Sequence, residues 1–188
     1  MGQNKALMPF MSIPLISYVN TRVSKLTDDV FVTADEADIY RDLGFTCFPD
    51  VLPGVGALGG LLTALHYARY PFLSVVACDM PFVNPAIIAA AYELLLTGGW
   101  DAVVPETEKG YEPMHAVFRV SSCLPAVLDA VRDGRRRMVA WFPAVNIRPL
   151  GENEYRQYDP EGAAFLNVNT PDQFLTAESL ARKVERQH

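Results

Sequence analysis

Apolar and polar positions along this chain switch repeatedly between a period near 3.6 and a period near 2, a pattern that predicts an α/β fold. From Pro14 to Leu26, Leu15, Val19, Val23 and Leu26 share one helical face, and Pro14 is tolerated in the first turn. Residues 29–33 read as a strand, 36–43 as a short helix, 45–48 as a second strand and 58–69 as a helix. Phe72 to Cys78 is a near-continuous apolar run, which predicts a central strand covered on both faces. Asn84 followed by Pro85 predicts an N-cap and first helical residue. Strands are expected at 102–104, 113–119, 144–149 and 164–168, with a helix at 122–133. Thr170-Pro171-Asp172-Gln173 predicts a capping box that opens the last helix.

No repeat, low-complexity tract or linker interrupts this series, so residues 1–188 read as one domain built on a mainly parallel sheet. Its front edge is unusual. The chain opens on polar and small residues without a strand, whereas a doubly wound domain usually begins on a strand whose end delivers the first ligand loop.

Composition narrows the setting. The net charge of −6 argues against a nucleic-acid partner, which calls for a basic face. No apolar stretch approaches the ~20 residues that span a bilayer, and Met1 to Lys5 leads into no signal-peptide core. Cys47, Cys78 and Cys123 match no zinc or CxxC spacing, and an odd count suits a reducing compartment, so cytoplasm is expected. Cys78, at the end of its apolar run, is expected to be a small core residue.

Six segments carry candidate chemistry, each with a plainer alternative. Asp79, in Cys78-Asp79-Met80-Pro81, follows a buried strand and so lies at the ligand-binding edge of an open sheet, where one carboxylate suits Mg²⁺; otherwise it caps a turn. Leu52-Pro53-Gly54-Val55-Gly56-Ala57-Leu58-Gly59-Gly60, preceded by Asp50, offers close backbone approach and a helix N-terminus, or is an ordinary glycine-rich loop. Asn167 and Asn169 point the same way if their strand persists, and their carboxamides suit a metal, pterin or phosphate; otherwise they are a polar strand end beside a helix cap. Gly134-Arg135-Arg136-Arg137 is a phosphate clamp or a solvated basic turn. Lys5 neutralises a phosphate or is merely solvated, and His115 either faces a ligand or packs within its strand, the second being favoured.

Taken in order, these segments resemble the molybdenum cofactor guanylyltransferase family along essentially the whole chain. That family opens with a strand and a loop of the form Leu-Ala-Gly-Gly-x-Ser-x-Arg-Met-Gly-x-x-Lys-x-Leu, and Met1-Gly2-Gln3-Asn4-Lys5-Ala6-Leu7 matches only its tail. Leu52-Pro53-Gly54 with Leu58-Gly59-Gly60, then Cys78-Asp79-Met80-Pro81, then Asn167-Val168-Asn169-Thr170-Pro171 follow in the family's order, and Glu112-Pro113-Met114-His115 and the arginine turn after Gly134 also agree. The resemblance implies a three-layer α/β/α Rossmann-like nucleotidyltransferase fold with a mixed, mainly parallel sheet, its first strand and loop missing. A start assigned too far downstream is the expected reason, and residues 1–188 alone are expected to bind GTP poorly.

The same resemblance implies transfer of GMP from GTP to molybdopterin, with Mg²⁺ and release of pyrophosphate. It gives Lys5 and Asp79 the catalytic work and Asp79 the metal. Nucleotide and pterin contacts fall on Lys5, Thr33, Asp50, Gly59, Asp79, Arg135, Arg136, Asn167 and Asn169. Thr33 stands where the family commonly has Asn, which leaves its base or ribose contact less secure. Neither nucleic acid nor membrane is implied as a partner; transient contact with cofactor-inserting or molybdoenzyme maturation proteins is. Two alternatives stay open: a cytidylyl- or sugar-phosphate nucleotidyltransferase of the same fold, or a catalytically silent binding module.

Overall fold

Most periodic segments become elements where the pattern put them, in a computed structural model that describes residues 4–185. After a 3-10 turn at Lys5–Leu7 come the paired β1 (Pro9–Phe10) and β2 (Ile13–Pro14), α1 (Leu15–Val23), β3 (Phe31–Thr33), α2 (Asp38–Arg41) and β4 (Thr46–Phe48). Next are α3 (Ala57–Tyr67), β5 (Phe72–Val76), α4 (Pro85–Thr97), β6 (Ala102–Thr107), β7 (Gly110–Tyr111), β8 (His115–Arg119) and α5 (Val120–Arg132). A 3-10 turn at Phe142–Ala144, β9 (Ile147–Leu150), α6 (Glu152–Tyr155) and α7 (Pro171–Glu185) complete it.

Local chemistry fixes the helix starts. Asn84 Oδ1 accepts from the Ala86 N–H at 2.9 Å, satisfying one of the donors that a helix start leaves unpaired. At α7, Thr170 Oγ1 accepts from Gln173 N at 3.3 Å while Gln173 Oε1 accepts from the N–H of Asn169 and of Thr170. The expected capping box is present. Ala164 to Val168 forms no strand, however; it runs as irregular chain, because its backbone bonds to the neighbouring loops instead of a ladder. Ala164 N donates to Asp159 Oδ2 at 2.8 Å, and Val168 N to the Asp79 carbonyl at 2.9 Å.

The sheet is mixed. β8 lies between β5 and β6 and is antiparallel to both, so β5 and β6 point the same way. β9 is parallel to β6 on its other side, and β3 is parallel to β4 in a separate two-stranded piece. The parallel character lies in the shared direction of β5, β6 and β9, with β8 reversed among them.

Alternate residues of the sheet feed two cores, which makes three layers. Val103 and Val117 face α4 and α7 through Ile87, Ala91, Leu95 and Phe174. Ala102, Val104, Ala116 and Phe118 face α3 and α5 through Leu58, Leu61 and Val127, and Trp141 from the chain after α5 completes that core. Each fully buried leucine of α3 contributes roughly 1.5–3 kcal/mol relative to exposure. A third, smaller cluster of Ala6, Ile16, Ala37, Tyr40 and Cys47 ties α1 and α2 to the start of the described chain.

Among the described residues, β3 and β5 are not hydrogen-bonded to each other. A cleft of about 530 Å³ separates them, lined by residues 29–35 on one side and 73–79 on the other. Every residue of β5 is therefore half-buried, not fully covered as its apolar sequence predicts. Cys78 is exposed for the same reason, which corrects its expected place in the core. Its thiol is nevertheless pushed up to about 11, first by desolvation from the protein atoms around the sulfur, although the residue as a whole keeps solvent access, and then by the Asp79 carboxylate.

Candidate functional site

Three acids stand just beyond strand ends. Asp35 follows β3 by two residues, Asp50 follows β4 by two, and Asp79 follows β5 by three; all three line the cleft. The strands cause this gathering, because their carboxyl ends open on one edge of the fold. Apolar residues of α1 (Ile16, Val19, Val23) and α3 (Leu61, Ala64) form the walls.

The glycine-rich loop shapes one side of the cleft. Gly56, immediately before α3, has φ +77° and ψ −151°, a region almost reserved for glycine. Gly60 lines the cleft, and its carbonyl accepts from Thr33 Oγ1 at 3.4 Å. Gly59 does not line it. A Cβ there would meet Val55 Cβ at 2.8 Å, so Gly59 serves close packing under the loop. Burial raises the Asp50 carboxyl above its ordinary range; the Thr63 hydroxyl opposes this and the charge of Asp35 reinforces it.

Asp79 sits at the far end of the cleft. Burial raises its carboxyl, while its own backbone N–H and then the Lys5 ammonium hold it down. Lys5 Nζ donates to Asn169 Oδ1 at 2.7 Å, so the first turn, the end of β5 and the entry to α7 converge here. Beside this wall lies a second cavity of about 580 Å³, lined among others by Glu112, Phe165, Asn167, Asn169 and Gln173. Asn167 and Asn169 are exposed while Val168 between them is buried, so the two carboxamides share a side without the expected strand. Met114 lines the first cavity and Glu112 the second, which makes residues 112–114 part of the partition.

The fold therefore brings Thr33, Asp50 and Asp79 into one cleft, with Lys5 at its end and Asn167 and Asn169 in the adjoining cavity. Arg135, Arg136 and Arg137 line neither cavity. They are exposed on the turn after α5, where Arg135 pairs with Asp133 at 2.5 Å and donates to the Ala140 carbonyl at 2.9 Å. His115 is fully buried; Nε2 lies 3.3 Å from the Asn84 carbonyl and the ring packs edge-on against Phe165, the packed role that its strand position favoured. Met1, Gly2 and Gln3 of the opening motif lie outside the described residues. Sequence reasoning passed over Asp35 and Glu112. The signal for Asp35 was available: an acid two residues past an apolar strand, matching Asp50 past the next.

Among the described residues no group of three or more His, Cys, Asp or Glu could form a metal cage. No helix among them is long and apolar enough to cross a membrane.

Similarity to known proteins agrees with this geometry. Residues 1–145 match the MobA-like NTP transferase domain. A probable molybdenum cofactor guanylyltransferase of Pelotomaculum thermopropionicum is 30% identical over 181 residues, covering 96% of this chain and 87% of that relative. One from Chloroflexus aggregans is 33% identical over 150 residues, covering 78% and 71%. The crystal structure of molybdopterin-guanine dinucleotide biosynthesis protein A from Archaeoglobus fulgidus superposes with a TM-score of 0.84 at 25% identity, covering 97% of this chain and 92% of that one. The 2-C-methyl-D-erythritol 4-phosphate cytidylyltransferase of Thermus thermophilus shares the fold, with a TM-score of 0.69 at 16% identity over 95% of this chain and 94% of that one. With its strand-end acids, its glycine-rich loop and this likeness over nearly its whole length, the chain belongs to the MobA-like NTP transferase family.

Proposed function

We propose that the chain, acting as one nucleotidyltransferase domain, transfers GMP from GTP to molybdopterin and releases pyrophosphate. The observation that carries this reading is the meeting of Asp79, Lys5 and Asn169 where the strand-end cleft adjoins the cavity lined by Asn167 and Asn169. GTP occupies the strand-end cleft with its α-phosphate at Asp79. Molybdopterin occupies the second cavity with its terminal phosphate beside Asn167 and Asn169.

An oxygen of the acceptor phosphate forms a bond to the α-phosphorus, and the bond from that phosphorus to the α–β bridging oxygen breaks. The electron pair leaves with pyrophosphate. The acceptor is already anionic, so no side chain has to remove a proton; positioning and charge neutralisation carry the rate. Lys5 offsets phosphate charge with the donors that Asn169 does not use, and Asn169 holds the ammonium in place.

Asp79 fits a magnesium ion. A single half-buried carboxylate, held above its ordinary pKa by desolvation, is stabilised by a cation that brings its own waters and takes phosphate oxygens as further ligands. When bound there, Mg²⁺ supplies neutralisation of the charge that develops on the phosphates. The reaction is placed in the cytoplasm, where the free Cys47, Cys78 and Cys123 stay reduced.

The test is incubation of the chain with GTP, Mg²⁺ and molybdopterin, following pyrophosphate and the dinucleotide product. Little release is expected from residues 1–188 alone, and molybdopterin-dependent release from a chain extended upstream by the strand and loop that the family carries, where Asp79→Asn should lower it by roughly a hundredfold or more, as loss of a central charge-stabilising group does. Absence of release from the extended chain, or full activity in its Asp79 variant, overturns the reading.

A further inference from the structure

The second cavity is built from residues between Thr107 and Gln173, with none from β3, β4 or β5, so it is separate from the space beside β5. Five acids line it, and four are accounted for. Glu152 pairs with Arg156, and Asp159 accepts from the N–H of Ala163 at 3.1 Å and of Ala164 at 2.8 Å. Glu108 and Glu161 are exposed, where water solvates them. Glu112, in the link between β7 and β8, is half-buried. Desolvation raises its carboxyl, while the Lys109 ammonium and then the Thr107 hydroxyl hold it down. A carboxylate has about four acceptor sites, so one hydroxyl leaves most of them for a ligand.

Phe165 lines the same cavity, also half-buried, and two rings brace it. His115 meets it edge-to-face at 5.1 Å between centroids, and Tyr155 does so at 5.0 Å. Burial, and then charges that include Glu112, raise the Tyr155 hydroxyl, so the carboxylate and the braced ring belong to one site. A carboxylate with a fixed aromatic ring suits a planar ligand whose edge carries two adjacent N–H donors. The pyrimidinone ring of a pterin has that edge, in its ring N–H and its exocyclic amino group. The matching 2-oxo ring, a lumazine, keeps the ring N–H but sets a carbonyl beside it, which a carboxylate repels. A desolvated carboxylate gains most from the paired donors, because they replace the water it has lost.

We propose that Glu112 is a specificity residue of the acceptor site, receiving the ring N–H and amino group of a pterin whose face lies on Phe165, and so choosing a 2-amino ring over a 2-oxo ring. This rests on the reading of the second cavity as the molybdopterin site. Glu112 takes no part in the transfer step. The acceptor phosphate stays with Asn167 and Asn169, so separate groups of one cavity read the ring and the phosphate. A site built around substrate donors rejects an analogue lacking one far more strongly than an apolar pocket rejects a change of shape.

The experiment is ligand-observed NMR titration of pterin and of lumazine into residues 1–188 at neutral pH, for the unaltered protein, Glu112→Gln, Glu112→Ala and Phe165→Leu. Melting temperatures show that each variant folds, and the alanine variant covers any local misfit of the amide. The unaltered chain should prefer pterin by about five- to fiftyfold, the range of a paired charge-assisted contact. Both Glu112 variants should lose that preference. The glutamine variant should in addition hold lumazine as well as or better than the unaltered chain, because an amide accepts the ring N–H and donates to the carbonyl. Phe165→Leu should weaken both ligands alike. Equal loss of pterin and lumazine in the Glu112 variants would give the carboxylate a merely structural role and overturn the inference. So would an unchanged preference in them, or an unaltered chain that binds neither ring or favours lumazine. Dinucleotide synthesis by the upstream-extended chain would then leave the guanylyltransferase reading standing. Loss of preference as expected, with no synthesis by that extended chain, would keep the pterin site and overturn the transferase reading.

Discussion

Lys5 and Asn169, 164 residues apart in sequence, are joined by a 2.7 Å hydrogen bond from the ammonium to the carboxamide oxygen. The bond fixes a flexible four-carbon side chain beside Asp79 and leaves two of its three N–H donors for phosphate. The lysine is thus positioned before substrate arrives, which is worth rate because the ordering entropy is met during folding.

The pair should behave as a unit in kinetics. Lys5→Ala removes a charge-assisted bond of roughly 1.5–3 kcal/mol, about ten- to a hundredfold in kcat/KM. Asn169→Ala should cost less, about three- to tenfold, because the ammonium remains but wanders. The double variant should lose little beyond Lys5→Ala alone; fully multiplicative losses would mean that Asn169 acts independently.

Gly59 gives a prediction about packing. Its absent Cβ is the space that Val55 occupies, at 2.8 Å from where that atom would be. Gly59→Ala should destabilise the fold by about 1–3 kcal/mol, as overpacking does in a dense core. Val55→Ala introduced alongside should recover part of that loss in thermal denaturation. Simple addition of the two losses would show that the clash is relieved elsewhere.

His115 predicts a pH dependence. Full burial lowers its pKa from the ordinary 6.5 to about 4, since the charged ring cannot be solvated there. The unfolded chain therefore binds a proton that the folded chain refuses between those values. The sign follows: stability from the neutral ring is complete above about pH 6.5 and is lost as pH falls towards 4. The loss approaches about 3 kcal/mol at the acid end, at 1.36 kcal/mol per pKa unit. His115→Gln should unfold more easily at neutral pH yet lose less stability on acidification. Parallel curves for the two proteins, from denaturant melts between pH 4 and 7.5, would contradict the argument.

Arg136 and Arg137 give a negative prediction. Both are exposed on the turn after α5, and neither lines either cavity. Charge reversal at both should change KM for GTP and for molybdopterin by less than about threefold, the range of screened surface charges. A much larger rise for molybdopterin alone would restore the phosphate clamp that their sequence suggests.

The sequence by itself determined what short-range physics governs. The caps of α4 and α7 need only Asn84 with Pro85, or Thr170 with Gln173, and helix faces such as that of α1 follow from spacing. Asp79 at a strand end was readable because an apolar run followed by an acid is a local pattern. Only the tertiary structure decided the rest. Whether Phe72–Val76 is covered depends on what lies beside β5, and among the described residues no strand pairs with its edge towards β3. Residues 164–168 have the composition of a strand, but Asp159 and the Asp79 carbonyl take their N–H groups, and no ladder forms. The companionship of Asp35 and Asp50 is a property of register between two strands, and the separation of the arginine turn from both cavities is a property of where α5 ends. Register and placement are set by contacts distant in sequence, and a linear pattern carries no term for them.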